Sequence, residues 1–70
     1  MAEGDLQRAV GENLRRYRVE RGLSQEQFAF EAKIHRTYVS DLERASRNPS
    51  ITMLDKLAAP LGVIASDLIA

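Results

Sequence analysis

Apolar residues recur along this chain at spacings of three and four, which predicts helices, and no segment makes a credible strand. Leu6, Val10, Leu14 and Tyr17 form one such stripe and predict a helix from about Asp5 to Arg21. Gly22 is suited to end it by taking a left-handed conformation. Ser24, with Gln27 three residues on, carries the signature of a capping box that opens a second helix, whose apolar face is Phe28, Ala29 and Ala32. A turn at Lys33-Ile34 follows. His35 then precedes a third helix with Val39 and Leu42 as its apolar positions, so the helix pair spans about 24–44. The polar run Ala45-Ser46-Arg47-Asn48-Pro49 reads as a loop. Ser50 caps a fourth helix with Ile51, Leu54, Leu57, Ala58 and Leu61 as its expected buried face and Gly62 as its stop. A last short helix, beginning near Ser66, carries Leu68 and Ile69. The expectation is an all-α domain of five helices over 5–70, with residues 1–4 frayed.

The two helices between Ser24 and Arg44 are too short to be stable alone and must pack against the rest of the chain. What they leave outward is Arg36, Thr37, Tyr38, Ser40 and Asp41, a polar surface suited to contact.

Composition narrows the classes. Seventy residues make one domain, near the lower limit of what folds without staples. With no cysteine there is no disulfide or thiolate metal site, which suits a reducing cytoplasm. No apolar run approaches the roughly 20 residues that span a bilayer, and MAEGDLQRAV lacks the basic and apolar regions of a signal peptide. One histidine and no phosphate-binding loop leave no nucleophile–base or metal constellation, so neither an enzyme nor a bound cofactor is expected. Ten basic and ten acidic residues cancel. Their distribution is uneven, however. Arg8, Arg15, Arg16, Arg18 and Arg21 crowd the first segment, and Lys33, Arg36, Arg44 and Arg47 surround the third helix, so a neutral chain can still present a basic face.

GLSQEQFAFEA, IHRTYVSDLER and RNPSITMLDKLAAPLGV together resemble the helix-turn-helix domain of the Xre/phage-repressor family, over about Val10 to Leu68. Within that family, HRTYVSDLER is most similar to restriction–modification controller proteins and related small regulators. The resemblance implies a compact lambda-repressor-like fold, double-stranded DNA as partner, and sequence-specific transcriptional regulation. An antitoxin-type regulator, binding both DNA and a toxin, is the alternative.

A major groove admits one helix, and its base edges carry a distinct donor and acceptor pattern. Arg36, Thr37, Ser40 and Asp41 pair at spacings of four, as a reading face needs. The resemblance points to the same four positions. Arg36 has the fork for guanine O6 and N7, against the alternative of a solvated arginine. Thr37 offers a hydroxyl or a methyl and Ser40 a hydroxyl, against the alternative that hydroxyls near a helix start serve only the backbone. Asp41 either accepts from cytosine N4 or orients Arg36. For the phosphate backbone, Gln25 stands where a helix start favours anions, and the resemblance assigns it that clamp. Tyr38 either donates to phosphate or covers the helix pair. Arg47 and Asn48 fall in the loop that meets the backbone in the family. His35, at a capping position, is expected to hydrogen-bond locally first and reach phosphate second. The resemblance further implies an internal ion pair between Arg18 and Glu43.

A single recognition helix reads few base pairs, so a homodimer across two half-sites is expected. Leu68 is assigned to the core and Ile64 and Ile69 to the dimer interface; the alternative places all three in the monomer core. RNA polymerase is a possible further partner. Lys33 and Ala45 stand where the family usually has glycine, Phe30 where it is polar, and Pro60 falls in the last turn of the fourth helix.

Overall fold

The structure, a computed structural model, describes residues 4–70. It contains four α-helices: α1 Asp5–Glu20, α2 Gln25–Ala32, α3 Arg36–Glu43 and α4 Ile51–Leu61. A single 3-10 turn, Ala65–Leu68, completes them, and no strand occurs among the described residues. The expected fifth helix is therefore a correction. Its closing bonds run from Asp67 N to the Ile64 carbonyl and from Ile69 N to the Ser66 carbonyl, a spacing of three that defines the tighter turn. The side-chain amide of Asn13 on α1 also donates to the carbonyls of Leu68 and Ala70, at 2.9 and 3.1 Å, drawing them away from any helical ladder. Of the residues expected to fray, 1–3 lie outside the described ones. Gly4 is ordered as the start of α1, with φ 85°, and accepts from Arg8 N at 3.0 Å.

Local chemistry sets the helix ends. Ser24 accepts from Gln27 N while the Gln27 side chain accepts from Ser24 N, closing the capping box at 3.0 and 2.8 Å. Ser50 accepts from Met53 N at the head of α4. Gly22 follows α1 with φ 69°, and its amide and that of Leu23 reach back to the carbonyls of Val19 and Arg18. Such a left-handed end satisfies orphan carbonyls. Helix α4 continues through Pro60 to Leu61 before Gly62 stops it.

The core is formed by Leu14, Phe28, Val39, Leu42, Leu57, Leu61 and Leu68, all essentially without solvent contact, with Ala29, Ala32 and Ala58 between them. Burying each large side chain contributes about 1.5–3 kcal/mol. Ile51, expected in this core, is 80% exposed. It is the first residue of α4, one turn before Leu54, so the apolar stripe overruns the end of the core. At Gly11, α1 meets the end of α3 so closely that a Cβ would lie 2.6 Å from the Leu42 carbonyl oxygen. That contact seats α3 with its far side open to solvent.

Candidate nucleic-acid interface

Val39 and Leu42 anchor α3 to the core, which turns its opposite side outward. Arg36 and Thr37 are exposed, Ser40 is half-buried, and these three line one surface depression together with Arg44. Sequence reasoning assigned Arg44 no role in the site. Its spacing was a usable signal, since Arg44 lies four residues beyond Ser40 and seven beyond Thr37, and so shares their face.

Asp41 sits beside that depression rather than in it. Its Oδ1 accepts from Arg44 Nη2 at 2.6 Å and its Oδ2 from Arg47 Nε at 3.2 Å. It does not orient Arg36, as one reading of the sequence expected. Five residues separate those two, neither the three nor the four that brings helix side chains together. Arg47 also lies over the ring of Tyr38, 4.6 Å from its centroid, a distance at which a cation is attracted to the ring face. Tyr38 is half-buried and packs against the core, so its ring does cover the helix pair. Asn48 is exposed in the same loop.

Glu43 lies on the inner side of α3, facing Arg18 on α1. Arg18 Nε and Nη2 donate to the two oxygens of Glu43 at 2.6 and 3.0 Å, and Nη1 donates to the Leu23 carbonyl at 2.7 Å. Both side chains are almost fully buried. The hydrogen bond that Arg18 donates to Glu43, opposed by desolvation and aided by the charge of Glu43, raises the already high pKa of Arg18. While Glu43 is ionised, this raised value contributes stability below the pKa of a free arginine, and the contribution is lost as strong alkali passes the folded-state value. Gln25 joins the group by donating its side-chain amide to Glu43 Oε1 at 3.2 Å. An amide nitrogen carries two hydrogens, so the second remains for an anion at the head of α2.

His35 begins α3 with an extended backbone but makes no side-chain capping bond. The expected local bond is thus corrected. Lys33 takes φ 60° and ψ 44°, and Ala45 takes φ 60°. Both are left-handed conformations that cost a residue with a Cβ about 1–2 kcal/mol. The glycine-like turn is kept without glycine.

The basic cluster of α1 divides into separate jobs. Arg18 is buried and paired, Arg8 pairs with Asp5, and Arg21 Nε caps the end of α4 by donating to the Leu61 carbonyl at 2.6 Å. Arg16 and Arg21 both lie over Tyr17. The cations gathered at α3 are Arg36, Arg44 and Arg47.

Two short helices joined by a three-residue turn, the second seated on a core with a polar face outward, define a helix-turn-helix domain. The chain belongs to the family whose model is described as Helix-turn-helix, which matches residues 14–68, a family of DNA-binding transcriptional regulators rather than enzymes. It is similar to the control protein C.BamHI of Bacillus amyloliquefaciens, 43% identical over 60 residues that cover 84% of this chain and 74% of that protein. It is 42% identical over 67 residues to a hypothetical transcription factor of Neisseria meningitidis, covering 96% of this chain and 63% of that protein. The crystal structure of the Neisseria factor superimposes with a TM-score of 0.91 at 40% identity, over 100% of this chain and 80% of that one. The biofilm regulator SinR, crystallised in complex with DNA, gives a TM-score of 0.83 at 35% identity, over 87% of this chain and 98% of that one. No described helix is long and apolar enough to cross a membrane.

Proposed function

We propose that the chain is a sequence-specific transcriptional regulator that inserts α3 into the major groove of double-stranded DNA and acts as a homodimer in the cytoplasm. The observation that carries this is the depression lined by Arg36, Thr37, Ser40 and Arg44 on the outward side of a helix anchored in the core by Val39 and Leu42. Arg36 is the bidentate reader of guanine, and Thr37 and Ser40 add hydroxyls. Gln25, Arg47 and Asn48 take the phosphate backbone, with Tyr38 and His35 flanking. Ile64 and Ile69, 67% and 41% exposed beside the buried Leu68, supply the dimer interface. Two copies then address half-sites about one helical turn apart. Promoter occupancy blocks or recruits RNA polymerase. A toxin-binding role has only the exposed Phe30 in its favour.

Selection of bound fragments from random duplex DNA, followed by titration at several salt concentrations, tests this reading. A palindromic preference with a negative salt slope is expected. Arg36→Ala is expected to cost about 1–3 kcal/mol and relax preference at one base pair. Equal weakening on every sequence would make Arg36 a phosphate contact, and a monomer at micromolar concentration with and without DNA would remove the dimer.

A further inference from the structure

We infer that Asp41 and Tyr38 are positioning residues for DNA binding that act through Arg47, rather than contacts of their own. The inference rests on the DNA-binding reading above and deepens it.

Two restraints meet on one exposed side chain. Arg47 belongs to the loop after α3, yet its guanidinium is bonded through Nε to Asp41 and lies over the Tyr38 ring. The bond restrains one edge of the guanidinium, and the ring covers one face. Nη1 and Nη2 make no hydrogen bond among the described residues, and they are the pair that forks onto a phosphate or a guanine. The base of the restraint is itself held. The Asp41 side chain is only 19% exposed, and its backbone carbonyl accepts both the amide and the hydroxyl of Ser46, at 2.9 and 3.0 Å. The loop is therefore tied to the same residue that ties the arginine. Arg44, on the other carboxylate oxygen, borders the reading depression.

Stability does not explain the arrangement. Ion pairs this exposed contribute little to folding, because holding long side chains offsets the Coulomb gain. At an interface the same cost changes sign. A side chain ordered before binding does not lose that freedom on binding, and the saving appears as affinity. A bare carboxylate on a DNA-facing helix repels phosphate. One that holds two arginines delivers more positive charge than it removes.

A double-mutant cycle separates these effects. The probes are a duplex enriched from random-sequence DNA by the unaltered chain, and the random-sequence pool itself. Asp41→Asn is measured with Arg47 present and in an Arg47→Ala background, so that repulsion between Asp41 and phosphate, common to both, cancels. Asp41→Asn should cost roughly three- to tenfold more when Arg47 is present, the freedom of one long side chain. Tyr38→Leu should show the same coupling, and Tyr38→Phe, which keeps the ring, should restore binding. In the free chain, the Arg47 Nε proton should exchange slowly by nuclear magnetic resonance, and Asp41→Asn should abolish that protection. Equal losses in both backgrounds, tighter binding once Arg47 is released, or an altered preference at one base pair on Asp41→Asn would each overturn the proposal. Fast Nε exchange in the unaltered chain would do so without any DNA. If no duplex is enriched at all, the DNA-binding reading itself fails, and this proposal with it.

Discussion

Two carboxylates two residues apart on α3 hold their partners in opposite surroundings. Glu43 faces inward and accepts from Arg18 and Gln25, joining α1, the head of α2 and the end of α3. Asp41 lies at the outer surface and accepts from Arg44 and Arg47. The Arg18–Glu43 bridge is nearly closed to water, while the arginines of the outer bridges are about half or more exposed. The bonds are similar; the dielectric around them is not. Inside, a missing partner leaves a charge that water cannot solvate, so the cluster acts on stability. Outside, water replaces a lost partner at small cost, and what remains is orientation.

The largest effect should come from breaking the inner cluster. Glu43→Ala is expected to destabilise by about 3–5 kcal/mol, because Arg18 is left buried and unpaired. Replacing both, Arg18→Met with Glu43→Leu, should lose less than either single change, as denaturant titration would show. A double variant weaker than both singles would mean that the cluster contributes more than the repair of its own desolvation.

Next comes the contact that brings α1 against that same end of α3. Gly11→Ala should cost about 1–3 kcal/mol, since the new methyl meets backbone rather than a yielding side chain. A melting temperature within a degree of the parent would show that the two helices separate easily. A smaller effect of opposite sign is expected at the turn that presents α3. Lys33→Gly should stabilise by about 0.5–1 kcal/mol, the relief of the left-handed strain less the extra freedom of glycine in the unfolded chain. Destabilisation would indicate that the lysine side chain contributes contacts of its own.

The smallest change is expected at the outer carboxylate. Asp41→Asn should alter folding stability by no more than about 0.5 kcal/mol, because the arginines it releases are open to water. A loss as large as that of Glu43→Ala would erase the contrast between the two carboxylates.

The same division explains what was legible in the sequence. Features made by residues close along the chain were readable: the Ser24–Gln27 box, the stops at Gly22 and Gly62, the apolar faces of α2 and α3, and the strain at Lys33. Arg36, Thr37 and Ser40 of the proposed reading face were reachable by spacing alone, and Arg44 was overlooked although the same spacing includes it. Features that join distant elements were not readable from local pattern. The Asn13 bonds that reshape the chain end span more than fifty residues. Gly11 carries no sign of how near the Leu42 carbonyl lies. Asp41 was matched to Arg36 because both face outward, whereas the loop brings Arg47 to it. Ile51 continued a correct stripe past the point where there was anything left to cover.

Helix α1 is fastened at both flanks, through Gly11 and Arg18 to α3 and through Asn13 to the chain end that bears Ile69. A domain braced in this way has little give between the surface that reads and the surface proposed to pair. In the proposed dimer, any misfit between half-site spacing and helix spacing would then fall on the duplex, which would bend or twist to accommodate it. Base pairs that no side chain touches would be discriminated by their stiffness, and the measure of that bracing is how strongly affinity depends on the spacer sequence between the half-sites.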